Sequence, residues 1–244
     1  MRRRDSPRPH ALGRAVRDFL YHQPYLAIAV AALLALTVYQ ALHNDLEVRD
    51  ARGRTMLIRS AEQGDRSEVQ RLLALGAEVN AVDNCHWSAL MKAANGGHLA
   101  VVRALLGHGA DLHVRDKGGY TALMVAASNG HAEVVRLLAE QGADVDASDD
   151  GLRWSALIWA AKEGHLDTVR VLLQHGAAVD LQDSDGNTAI MRAARNGHSA
   201  VVRALLAAGA STTLRNGHGQ TARELARAAG HPAIARVLAP SHAG

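Results

Sequence analysis

Residues 121–146 read TALMVAASNGHAEVVRLLAEQGADVD, and their pattern decides the fold. Thr121 is placed to cap a helix, because a threonine hydroxyl accepts a first-turn N–H that has no partner inside the helix. Ala122 to Ser128 then form a short helix that Asn129-Gly130 ends, glycine taking the left-handed conformation at little cost. A second helix starts near Ala132, carries Val134, Val135, Leu137 and Leu138, and stops at Gly142. The polar stretch from Asp144 to Asp150 makes a turn. Helices this short are marginal alone in water. They become stable only when neighbouring units cover their Ala, Val and Leu faces.

The same signals recur on both sides of this stretch. Gly-Ala pairs begin at Gly76, Gly109, Gly142, Gly176 and Gly209, spaced 33, 33, 34 and 33 residues apart. Cap positions keep the same register at Thr55, Ser88, Thr121, Ser155, Thr188 and Thr221. A third series runs Gly64, Gly97, Gly130, Gly164, Gly197 and Gly230, with histidine next in every case but the first. Three series locked in one register define a repeat architecture. The apolar residues are mostly Ala, Leu and Val, and small side chains of this kind suit closely packed short helices.

The quoted stretch closely resembles the ankyrin repeat, whose pattern runs G-x-T-P-L-H-x-A-A-x-x-G-H…V-x-x-L-L-x-x-G-A. The likeness covers about residues 46–238. It implies an all-α solenoid of about six helix-turn-helix repeats with β-turn fingers, at about 47–80, 81–113, 114–146, 147–180, 181–213 and 214–238. It also implies a role in binding another protein. Two positions depart from the pattern. The proline after the cap is Met56, Ala89, Ala122, Ala156, Ala189 or Ala222, and the histidine is Ile58, Met91, Met124, Ile158, Met191 or Glu224. Apolar packing is expected to replace the hydrogen bond that this histidine makes. Arg223, Glu224 and Arg227 stand where inner repeats carry Leu, Met and Ala, which reads as a polar C-terminal cap.

Ahead of the repeats, Tyr25–Leu42 reads YLAIAVAALLALTVYQAL, eighteen residues without a charge. As a helix it would extend about 27 Å, near the hydrocarbon thickness of a thin bilayer. Pro24 suits its first turn, and Tyr25 and Tyr39 stand near its ends. Residues 1–24 hold six arginines against Asp5 and Asp18, a net +4. The expected layout is a basic cytoplasmic segment at 1–23, one transmembrane helix at 24–42, a repeat domain at 43–238 and a tail at 239–244. The arginine flank stays in the cytoplasm, which puts the repeats on the periplasmic side of an inner membrane. Export to the periplasm after signal cleavage is the alternative. Lys92, Lys117 and Lys162 are the only lysines, an arginine bias that reads as a GC-rich bacterial genome.

After residue 24 the chain has 21 basic and 22 acidic side chains, so its basic character belongs to the membrane flank. No nucleic-acid partner is expected, because such a partner needs positive charge on the folded surface. Cys85 is the single cysteine, which rules out an intrachain disulfide and a cysteine zinc site. His98, His131, His165, His198 and His231 share one repeat position and so fall on separate layers; they read as pattern residues, not metal ligands. No cofactor and no catalysis are expected. Cys85-His86 leaves open a thiol-based redox role, and a purely structural tether is the other alternative.

The remaining signal is aromatic. Trp87, Tyr120 and Trp154 each precede the cap of successive repeats. The resemblance puts that position at the tip of the finger, beside the concave groove that holds partners. Trp159 lies on the adjoining face of the first helix of repeat four, where other repeats have Arg59, Lys92, Val125 and Arg192. Trp, Tyr and Arg dominate binding hot spots. The candidate partner-binding set is therefore Trp87, Lys92, Tyr120, Val125, Trp154, Trp159 and Arg192. Covering neighbouring turns is the plainer role open to the aromatics. Repeat four also has one extra residue in its turn, and insertions in repeat proteins favour the binding face.

Overall fold

The computed structural model describes residues 24–239, and within the first helix it describes the side chains of Tyr25, Ile28–Thr37 and Leu46. The expected segments at 1–23 and 240–244 lie outside the described residues. The chain divides into two units, 1–46 and 47–244.

In the first unit, α1 runs Pro24–Leu46. Its described residues Tyr25, Ile28, Val30, Leu33, Leu34 and Leu36 are exposed. Among the described residues no helix is long and apolar enough to cross a membrane. The transmembrane helix expected at 24–42 is therefore not seen as such.

The second unit is built from helix pairs: α2 (Met56–Gln63) and α3 (Arg66–Ala74), α4 (Ala89–Asn95) and α5 (Leu99–Gly107), α6 (Ala122–Ser128) and α7 (Ala132–Glu140), α8 (Ala156–Glu163) and α9 (Leu166–Gln174), α10 (Ala189–Arg195) and α11 (Ser199–Ala207), α12 (Ala222–Ala228) and α13 (Pro232–Val237). First helices pack on first helices along the stack, second helices pack on second helices, and the two layers meet within each pair. No strand forms among the described residues; isolated bridges join Val82 to Ser88 and Ser148 to Ser155.

The caps show why such short helices hold. Thr55, Ser88, Thr121, Ser155 and Thr221 each accept the backbone N–H three residues on, at 3.3–3.4 Å. Thr188 is the exception: its hydroxyl is buried and makes no such bond. Between the layers, Leu57, Ile58, Leu90, Met91, Leu123, Met124, Leu157 and Ile158 meet Leu72, Leu105, Leu138 and Leu172, all essentially sealed from water. Burial of each such side chain stabilises by roughly 1.5–3 kcal/mol. Ile58, Met91, Met124, Ile158 and Met191 occupy the departed histidine position and are all buried, so apolar packing does replace the hydrogen bond there.

The histidines of the third series tie each repeat to the one before. Nε2 of His98, His131, His165 and His198 lies 2.9–3.2 Å from the carbonyls of Glu62, Asn95, Ser128 and Lys162. A carbonyl only accepts, so Nε2 carries the proton and donates. These carbonyls belong to the last turns of α2, α4, α6 and α8, where no helical N–H remains to pair them. The ring then fills the space over the preceding repeat's glycine. At Gly97, whose φ is +68°, a Cβ would fall 2.5 Å from His131 Nδ1, so this position needs glycine both for its backbone and for the ring above it.

Candidate functional site

Each finger is organised by one acidic or amide side chain. The backbone N–H groups of Asp50, Asp83, Asp116, Asp149, Asp183 and Asn216 donate to the carbonyls of Arg54, Trp87, Tyr120, Trp154, Asn187 and Gln220. The same residues' side-chain oxygens accept N–H groups inside the turn; Asp116 Oδ1 takes those of Gly118 and Tyr120 at 2.8 and 2.9 Å. In the longer finger four, Asp149 takes four, from Gly151, Leu152, Arg153 and Trp154. Adjacent fingers then join by single backbone bonds, Asn84 to Arg52, Lys117 to Cys85, Asp150 to Gly118, Ser184 to Leu152 and Gly217 to Asp185.

This geometry corrects one expectation. Trp87, Tyr120 and Trp154 are not at finger tips. They sit on the returning arm, one residue before the cap, with their backbone bonded to the organising aspartate. The tips are 84–86, 117–119 and 150–153. The aromatics are thereby carried to the flank of the first helices, where the residue four beyond each cap also lies.

Two clusters result. In the first, Trp87 donates its indole N–H to Asp116 Oδ2 at 2.9 Å, and Lys92 Nζ lies 4.7 Å from the Trp87 ring centre. Lys92 also pairs with Asp83 at 3.5 Å and Glu62 at 3.4 Å. In the second, Trp159 is the hub, with its ring centre 4.5 Å from Trp154 and 5.8 Å from Tyr120. Lys162 Nζ stands 5.5 Å from the Trp159 ring and 5.7 Å from Trp154. Arg192 lies 4.6 Å over Trp154 and pairs with Asp183, whose carboxylate is fully buried. Burial raises the pKa of Tyr120, and the carboxylates of Asp149 and Asp116 add to that. Both Trp154 and Trp159 have a buried indole N–H without an acceptor.

The named residues thus separate by exposure. Trp87, Lys92, Tyr120, Trp159 and Arg192 are half-buried and offer side-chain surface. Trp154, at 5 % exposure, and Val125, at 4 %, are interior in the chain by itself. Trp154 is closed over by Trp159, Lys162 and Arg192, which a reading of its repeat alone does not reveal. Lys162 belongs to the second cluster and was missed; its offset of seven residues from the cap was the available signal.

The other chemical candidates disperse. Cys85 is exposed, and the neighbouring His86 turns its Nδ1 to the Arg115 carbonyl at 2.7 Å. Among the described residues no three metal-ligating side chains gather. A shallow cleft of about 370 Å³ opens between fingers three and four, lined by Lys117, Tyr120, Asp149 and Leu152 among others.

A stack of capped helix pairs joined by finger turns, with an aromatic cluster on its first-helix layer, defines a helical-repeat binding scaffold. The family model "Ankyrin repeats (3 copies)" matches residues 26–116, 57–149, 90–183 and 157–244, and the chain belongs to the ankyrin-repeat family. No curated protein matches the chain significantly. Membership points to a protein-interaction module.

Proposed function

We propose that the chain is a membrane-tethered, non-catalytic module that holds a protein partner against the first-helix face of repeats two to five. The observation that carries this reading is the second cluster. Tyr120, Trp159 and Lys162 gather half-exposed aromatic and cationic groups around Arg192, more than its pair with the buried Asp183 requires. Isolated buried donors such as the two indole N–H groups cost stability, about 1–3 kcal/mol each. A surface that keeps such groups is better explained by recognition than by folding.

Replacing Trp87, Tyr120 and Trp159 together by alanine tests the face. Partner recovery from a detergent extract is expected to fall severalfold while circular dichroism of the chain is unchanged. Full recovery by the folded variant would sink the assignment.

The tether rests on the apolar run Tyr25–Leu42 behind an arginine-rich flank, which by the charge rule keeps residues 1–23 in the cytoplasm and the repeats outside it. A reporter fused after Gly244 that is active only outside the cytoplasm should be active. Extraction of the chain by alkaline carbonate would remove the anchor from the account.

A further inference from the structure

The near-neutral charge of the repeats conceals a division. Residues 47–185 hold fourteen basic and twenty acidic side chains; residues 186–239 hold seven arginines and one glutamate. The acidic excess is densest just before the positive end, since 133–185 alone has four basic and eleven acidic residues. Of the seven arginines, Arg192 is matched by Asp183 and Asp185, and Arg215 by Glu224. Among the described residues no ion pair engages Arg195, Arg203, Arg223, Arg227 or Arg236, and the Arg223 Nε is buried without an acceptor. A polar cap explains why Arg223 and Arg227 are not apolar. It does not explain why every one of these charges has the same sign.

A groove of about 410 Å³ opens here, lined by Arg195, His218, Gln220, Leu225, Ala228 and Ala229. It continues the first-helix face beyond Arg192. Arg195 and His218 line it beside the small residues Ala228 and Ala229, and Arg227 adjoins Ala228 in α12; this set suits a polypeptide bearing carboxylates. We propose that this end of the face receives a short acidic segment of the protein partner. The inference rests on the first-helix face being the partner-binding surface.

Length separates an acidic segment from other anions. The positive region covers about two repeats, roughly 20 Å at ordinary helix spacing. A nucleic-acid duplex carries one charge per about 1.7 Å, and an anionic bilayer is negative throughout. Either would run on from the positive end onto the acidic stretch 133–185 and be repelled there. A segment of a few carboxylates ends before it.

The test is binding of a labelled octaglutamate peptide to the full-length chain in detergent, followed by anisotropy at low salt. The double variant Arg195→Glu/Arg227→Glu is expected to weaken binding about tenfold or more, and Arg195→Gln/Arg227→Gln to weaken it less. The triple variant Arg2→Ser/Arg3→Ser/Arg4→Ser should bind as the parent does, which removes the basic N-terminal segment as the source. The glutamine pair guards against a fold defect from reversal, and circular dichroism checks both. Peptide binding indifferent to both arginine pairs, or lost in the N-terminal variant, overturns the proposal. So does tighter binding of a DNA duplex or of phosphatidylglycerol vesicles through Arg195 and Arg227, or self-association of the chain that the double reversal abolishes. If octaglutamate ignores the reversal while alanine at Trp87, Tyr120 and Trp159 still abolishes partner recovery, the face stands and the acidic segment falls.

Discussion

Trp87 and Trp154 hold the same place in their repeats, one residue before a serine cap, yet the fold treats them differently. Trp87 is half-exposed and its indole N–H is bonded to Asp116. Trp154 is buried and its indole N–H has no acceptor. The residues four past each cap make the difference. In repeat two this is Lys92, which stays with its own finger at Asp83 and reaches back to Glu62. In repeat four it is Trp159, which lies against Trp154, and the cation over Trp154 comes forward from repeat five as Arg192. A repeat position therefore has no fixed exposure; the next layer sets it.

The largest way to break the second arrangement is to remove its cation. Arg192→Ala leaves the fully buried Asp183 carboxylate without its counter-ion, only Oδ1 keeping the N–H groups of Asp185 and Asn187, and should cost about 3–5 kcal/mol in denaturant unfolding. Lys92→Ala should cost about 1–2 kcal/mol, because the 3.5 Å pair with Asp83 is looser and that carboxylate keeps some contact with water. Equal losses would remove the distinction between the clusters.

The aromatic pair sharpens the comparison next. Trp154→Ala empties an interior site and is expected to cost about 3–5 kcal/mol, whereas Trp87→Ala, half-buried, should cost about half of that. Melting of the two single variants side by side reads the difference. A larger loss at Trp87 would contradict the burial seen here.

The fingers give a smaller effect of opposite sign. His86 and Arg153 hold positive φ, +67° and +55°, where fingers one, three, five and six have glycine. Arg153→Gly should stabilise by about 0.5–1 kcal/mol, the relief of left-handed strain less the entropy that glycine loses on folding. His86→Gly should gain less, since it also gives up the bond to the Arg115 carbonyl. Destabilisation by Arg153→Gly would show that the residue is held there by contacts the geometry does not reveal.

The smallest effect concerns the C-terminal cap. Glu224 completes a capping box with Thr221, and its carboxyl lies below the ordinary value of 4.5, chiefly through the Thr221 N–H. A carboxyl lowered on folding stabilises fully above its unfolded value, and the contribution disappears as pH falls through the lowered one. Protection factors in 222–228, exchange rates corrected for their intrinsic pH dependence, should therefore fall below pH 4.5 in the parent and change little in Glu224→Gln.

Much of this could be read from one strand of text. The serine and threonine caps, the helix Ala122–Ser128 and the polar terminal repeat follow from local chemistry and reappear in the structure. Three things could not be read from one repeat. The histidines bond carbonyls some 36 residues back, so their role emerges only when layers are stacked. The organising aspartates Asp50, Asp83, Asp116, Asp149 and Asp183 keep the repeat register, but register alone does not separate a turn-former from a surface charge. The burial of Trp154 is decided by Trp159 and Arg192, neither in its own turn. The charge division was legible and hidden by averaging: summed over all repeats, +6 at one end cancels −6 in the rest.

The central claim is that partners meet the first-helix layer and not the second. A photo-crosslinking amino acid at position 159, in α8, or at position 103, in α5, tests it on the full-length chain. The account predicts a partner adduct from position 159 and none from position 103. An adduct from position 103 alone would put the working surface on the opposite layer and contradict it.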